Sequence, residues 1–83
     1  MINITKEQAL KKVTLFLAAH KQILDETALD ELSKLEYDEN TKIDESNDDR
    51  IEIYSHFGGK YYKSFIIRKD GTFMTISGHL TDD

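Results

Sequence analysis

The sequence predicts one small α+β domain, with an N-terminal helix or two helices packed on a C-terminal three-stranded antiparallel β-meander. Three observations carry that prediction. Apolar residues recur at three- and four-residue spacing before position 38 and at two-residue spacing after position 50. A stretch dense in carboxylates separates the two regimes. The length of 83 residues leaves room for one core only, because domains run from about 50 residues upward.

The helical part is expected over 5–37. Thr5 followed by Gln8 is a capping box, in which each side chain satisfies an amide that the first turn leaves without a partner, so a helix should begin at Lys6. Ala9, Val13, Phe16, Leu17, His20, Ile23 and Leu24 then form one stripe, and Lys11, Lys12, Lys21 and Gln22 fall mainly on the other side. Leu15 lies off the stripe, which implies a wide apolar face. Ala28, Leu32 and Leu35 continue the pattern with no Gly or Pro between, so one bent helix and two helices both fit. Two are preferred, the second capped at Asp25 or Thr27, with Glu26, Asp30 and Glu31 complementing its N-terminal dipole.

Residues 38–49 lack periodicity and read as an acidic loop. The meander is expected over 50–78, with strands at 50–56, 60–69 and 72–77, and a frayed tail at 79–83. Asp70-Gly71 is a strong two-residue hairpin signal, which would pair Lys69 with Thr72, Ile67 with Met74 and Phe65 with Ile76. A two-residue turn at Gly58-Gly59 would split the core. A three-residue connection at 57–59 instead pairs Ile53 with Lys63 and Ile51 with Phe65, and burial should select it because a one-residue slip turns every side chain over. Ile51, Ile53, Phe65, Ile67, Met74 and Ile76 would then share the face on which the helices lie. The opposite face would carry Tyr54, His56, Tyr62, Ser64, Ile66, Arg68, Phe73 and Thr75, too aromatic for a wet sheet face unless a helix, a chain end or a partner covers it.

The segment Ile4-Thr5-Lys6-Glu7-Gln8-Ala9-Leu10, together with the Lys69-Asp70-Gly71 hairpin, resembles PepSY-type modules over about a third of the chain. The resemblance implies a helix-plus-sheet fold. Such modules are typically extracytoplasmic or membrane-linked, and no function is carried across from them.

Charge narrows the functional classes. Residues 25–52 hold twelve carboxylates against Lys34, Lys42 and Arg50, a balance of −9, while 1–24 and 53–83 carry +3 and +1, for a net −5. Such a field repels nucleic-acid phosphate and steers basic partners. With no Cys there is no disulfide, thiolate metal site or cysteine nucleophile. His20, His56 and His79 are scattered and lack metal-ligand spacing, so no metal or other cofactor is expected. Asp44, Ser46, Asp48, Arg50 and Glu52 approach a calcium loop, but Asp49 stands where its glycine belongs and Ser55 where its closing Glu belongs. The paired carboxylates occupy solvated chain, where burial cannot tune them for acid–base work, so no enzymatic activity is expected. No signal peptide or apolar span is legible, which implies a cytoplasmic protein.

The sequence therefore points to an acidic protein-binding inhibitor or regulator that docks on a basic surface of a partner such as a toxin, nuclease or nucleic-acid-binding protein. The contacts are expected from Asp38, Glu39, Asp44, Glu45, Asp48 and Asp49, with Tyr54, Tyr62, Arg68 and Phe73 as aromatic and cationic anchors. The alternative is a homodimeric assembly module that buries the aromatic sheet face. An enzyme is the third and weakest reading.

Overall fold

The computed structural model describes residues 2–57 and 61–79. A short strand β1 (Ile2–Asn3) leads into helices α1 (Lys6–Ala19) and α2 (Glu26–Ser33). Strands β2 (Lys42–Asp44), β3 (Arg50–Phe57), β4 (Tyr61–Arg68) and β5 (Phe73–His79) follow. β2 to β5 form a four-strand antiparallel meander, and β1 adds to its edge, giving the order β1-β2-β3-β4-β5. The expected three-stranded sheet thus gains β2, whose Lys-Ile-Asp lies inside the segment 38–49 read as loop. Three residues are too few for period two to be recognised, but Ile43 is buried opposite Ile53.

α1 begins as its capping box dictates. The Gln8 amide donates to Thr5 Oγ1 at 3.2 Å, and the Thr5 amide donates to Gln8 Oε1 at 3.0 Å. The helical region is two helices, the second capped by Asp25, whose carboxylate accepts from the Ala28 amide at 2.8 Å. α1 stops at Ala19 through a Schellman arrangement: the Gln22 amide reaches the Leu17 carbonyl, and the Lys21 amide reaches that of Ala18. Lys21 takes the left-handed position, φ 62°, that glycine usually fills. A lysine there conceals the stop from a search for Gly or Pro. Ile23 consequently leaves the apolar stripe and is 85% exposed, and His20 is exposed as well.

Both helices lie on one sheet face. Ala9, Val13 and Leu17 of α1 and Ala28 and Leu32 of α2 pack with Ile43, Ile51, Ile53, Phe65 and Ile67 in one core. Ile51 and Ile53 do join Phe65 and Ile67, although the pairing differs from expectation: Ile53 faces Phe65 and Ile51 faces Ile67. The shift is two residues, so the face is preserved. The connection expected at 57–59 is displaced by one residue: Phe57 belongs to β3 and pairs with Tyr61, which accounts for the shifted register, and residues 58–60 between them lie outside those described. Of the tail expected at 79–83, His79 closes β5 and residues 80–83 lie outside those described.

The second hairpin corrects the expected register. The Arg68 amide donates to Thr72 O at 2.8 Å and the Gly71 amide to Arg68 O at 2.9 Å, which leaves a three-residue loop, Lys69-Asp70-Gly71, with Gly71 at φ 89°. This is a type I turn closed by a glycine bulge rather than a two-residue turn. Ile67 therefore pairs with Phe73, and Phe65 with Thr75. The slip of one residue turns β5 over, bringing Phe73 and Thr75 to the helix side and sending Met74 and Ile76 to the other. Burial explains the preference: Phe73 stacks on Phe65 with centroids 5.6 Å apart, covering more apolar area than Met74 would there. Asp70 fixes the loop by accepting from the Thr72 amide and hydroxyl at 2.9 and 2.6 Å, and these bonds hold its carboxyl below its ordinary range. Replacing Gly71 with alanine is expected to cost about 1–2 kcal/mol, the penalty of a left-handed L-residue. A lower urea midpoint at unchanged slope checks this.

Candidate protein-docking surface

Neither helix covers the second sheet face. It carries Tyr54, Ser64, Ile66, Met74 and Ile76 at its centre, with Lys42 and Asp44 beside them on β2 and with Glu52, Arg50 and Arg68 toward the end near the β4–β5 turn. No residue of this face belongs to the hydrophobic core cluster. Met74 and Ile76 are 40% and 39% exposed, whereas Ser64, flanked by Tyr54 and Ile76 on the neighbouring strands, is only 6% exposed beneath larger side chains. Ile66 pairs with Met74 and continues the apolar patch.

Of the four expected anchors, Tyr54, Tyr62 and Arg68 lie on this face and Phe73 does not. Phe73 packs against the core on the helix side, a direct result of the one-residue slip. Met74 and Ile76, assigned to the core from sequence, take its place. Tyr54 donates to Glu52, which also accepts from Arg50 Nε at 2.9 Å. The bond to Glu52, reinforced by burial, pushes the Tyr54 hydroxyl up to about 12. Arg68 reaches across to Met74 Sδ at 3.1 Å. Tyr62 lies over Gly78, where a Cβ would sit 2.7 Å from the ring, so the glycine gives the tyrosine its seat.

The six expected acidic contacts divide between the two ends of β2. Asp38 and Glu39 belong to the connection from α2, and Asp44, Glu45, Asp48 and Asp49 to the hairpin leading to β3. The connection is built on the Glu36 carbonyl, which accepts from Thr41 Oγ1 at 2.8 Å and from Ser55 Oγ at 2.6 Å. Thr41 Oγ1 in turn accepts from the Asp38 amide at 2.9 Å, and the Asp38 carboxylate accepts from the Asn40 amide at 2.7 Å. Tyr37 donates to Leu32 O at 2.7 Å, and burial pushes its hydroxyl far above its ordinary value.

In the hairpin, Asp44 accepts from the Ser46 hydroxyl at 2.6 Å and the Ser46 amide at 3.0 Å, which lowers its carboxyl pKa. Glu45 pairs with Lys12 at 3.0 Å and Asp49 with Lys69 at 3.2 Å. These pairs are solvent-exposed and hold their partners weakly. Glu39 and Asp48 are exposed and take no part in the ion pairs among the described residues. Asp48 borders a shallow groove between α1 and this hairpin, floored by Leu15, Phe16 and Ile51, with the Phe16 and His20 rings edge to face at 5.0 Å.

No set of three or more His, Asp or Glu side chains converges as metal ligands among the described residues. No described helix is long and apolar enough to cross a membrane. No family model, curated protein or solved structure matches the chain.

Proposed function

We propose that the protein is a non-catalytic binding module that docks on the basic surface of a protein partner, as an inhibitor or regulator of a toxin, nuclease or nucleic-acid-binding protein. The observation that carries this reading is the exposed set of carboxylates at both ends of β2, three of which, Asp38, Glu39 and Asp48, lie outside the ion pairs among the described residues, in a molecule of net charge −5. Exposed carboxylates steer a cationic partner and fix its register. The groove beside Asp48 and the uncovered sheet face supply apolar and aromatic area for close contact. A surface that offers carboxylates in place of phosphates suits a partner that ordinarily binds nucleic acid.

The test is capture from lysate on the immobilised protein. The captured protein should be basic, and both rising salt and added duplex DNA should release it. Glu39→Lys with Asp48→Lys should weaken capture about tenfold, equivalent to about 1.4 kcal/mol, with no change in thermal unfolding. Capture indifferent to salt and to charge reversal refutes the reading.

A further inference from the structure

Among the described residues, a sheet in this order has two free edges, and they are protected very differently. One is β1, two residues long, and shortness alone blunts it. The other is β5, seven residues long, with the sequence Phe-Met-Thr-Ile-Ser-Gly-His. It contains no Pro, Lys, Arg, Asp or Glu, and its register with β4 runs from Ile67–Phe73 to Tyr61–His79 without a bulge. None of the usual devices against edge pairing is present in it.

Antiparallel alternation fixes which backbone groups face outward. The Arg68–Thr72 bond sets the phase, so Met74, Ile76 and Gly78 exchange hydrogen bonds with β4, while the N–H and C=O of Phe73, Thr75 and Ser77 point away from the sheet. No backbone bond outside the ladder reaches these three among the described residues.

We propose that β5 pairs antiparallel with β5 of a second copy about a two-fold axis at Thr75, joining two sheets into one. This goes beyond the docking reading and does not rest on it. The register is chosen by self-complementarity. With Thr75 on the axis, Phe73 faces the partner's Ser77, and the outward groups of Phe73, Thr75 and Ser77 meet those of the second chain in about six hydrogen bonds. On the open face, Met74 meets the partner's Ile76, so the two exposed apolar patches fuse across the junction. Thr75 beside its own copy is a favourable cross-strand pair.

Charge permits the contact. The edge strand holds no Lys, Arg, Asp or Glu, whereas the hairpin carboxylates stand two or three strands away, about 10–14 Å. That exceeds the Debye length of about 8 Å at physiological salt. Asp70 lies at the turn, and the two copies' Asp70 sit at opposite ends of the paired segment. β5 is therefore the described edge that stands farthest from the hairpin carboxylates, with Asp82 and Asp83 beyond its end in the sequence.

Sedimentation of the full chain over a concentration series should show a monomer–dimer equilibrium. In the dimer, the amides of Phe73, Thr75 and Ser77 should exchange slowly with solvent although they face outward in the protomer. Thr75→Pro removes an outward N–H and leaves the β4 ladder intact, so it should yield a monomer with unchanged circular dichroism. Thr75→Lys, which places two ammonium groups on the axis, should weaken association about tenfold and guards against a proline variant that fails to fold. Thr75→Cys, the sole thiol of that chain, should oxidise to a covalent dimer. A wild-type chain that stays monomeric at every concentration overturns the proposal, even if it accepts a foreign strand. So does a dimer that survives both Thr75→Pro and Thr75→Lys with those three amides exchanging freely, because that dimer is held face to face.

Discussion

Replacing Phe65 with alanine is expected to destabilise the protein by about 3–5 kcal/mol. The side chain is fully buried at the centre of β4, beside Ile53 and stacked on Phe73, with both helices above it. Truncation removes apolar burial and leaves a cavity between the sheet and the two helices that their side chains cannot easily close. An 83-residue domain has roughly 4–12 kcal/mol of stability in total, so this one change consumes a large fraction of it. Urea unfolding followed by far-ultraviolet circular dichroism should show either a large fall in midpoint or no folded baseline at 25 °C. A loss below about 1 kcal/mol would mean that the Phe65–Phe73 stack is not the centre of the core.

Thr41→Val is expected to cost about 1–3 kcal/mol although it keeps the volume and branching of the residue. Thr41 is fully buried, and its hydroxyl both donates to Glu36 O and accepts from the Asp38 amide. Valine leaves the amide without that acceptor, whereas Glu36 O retains Ser55. The hydrogen bond to the Asp38 amide is part-buried, so losing its acceptor costs more than the modest net gain of one solvent-exposed hydrogen bond, which gives the effect its size. Thr41→Ser keeps the hydroxyl and should recover most of the loss. The comparison of the two variants by thermal unfolding isolates the hydrogen bond from packing.

Much of the fold was legible because the sequence states it twice. α1 has both a capping box and an apolar stripe, and β3 with β4 has both alternation and a burial constraint that selects the face of Ile51 and Ile53. What escaped was stated once or ambiguously. Lys21 ends α1 in a backbone region where glycine is the usual signal. β2 is too short to show a period. Asp70-Gly71 fits a two-residue turn and the second half of a three-residue loop equally well, and each register gives β5 an apolar face. Met74 with Ile76 outscores Phe73 with Thr75 in a residue count, yet one stacked aromatic ring outweighs two flexible aliphatic side chains. Through that turn the sequence reads Phe73 as a recognition residue and Met74 and Ile76 as core, the reverse of the fold. The acidic segment was legible as charge, but nothing in its sequence revealed that β2 would divide it or that Lys12 and Lys69 would each meet one of its carboxylates.

Every strand from β2 to β5 hydrogen-bonds to the strand next to it along the chain, and only β1 must find a partner some forty residues distant, with Ile2 opposite Ile43. Assembly can thus proceed as a zipper, hairpin upon hairpin, with little loop-closure entropy lost at each step. The amino-terminal strand, two residues long and paired across the greatest sequence distance, is expected to join last and detach first, so that opening begins at the edge opposite β5.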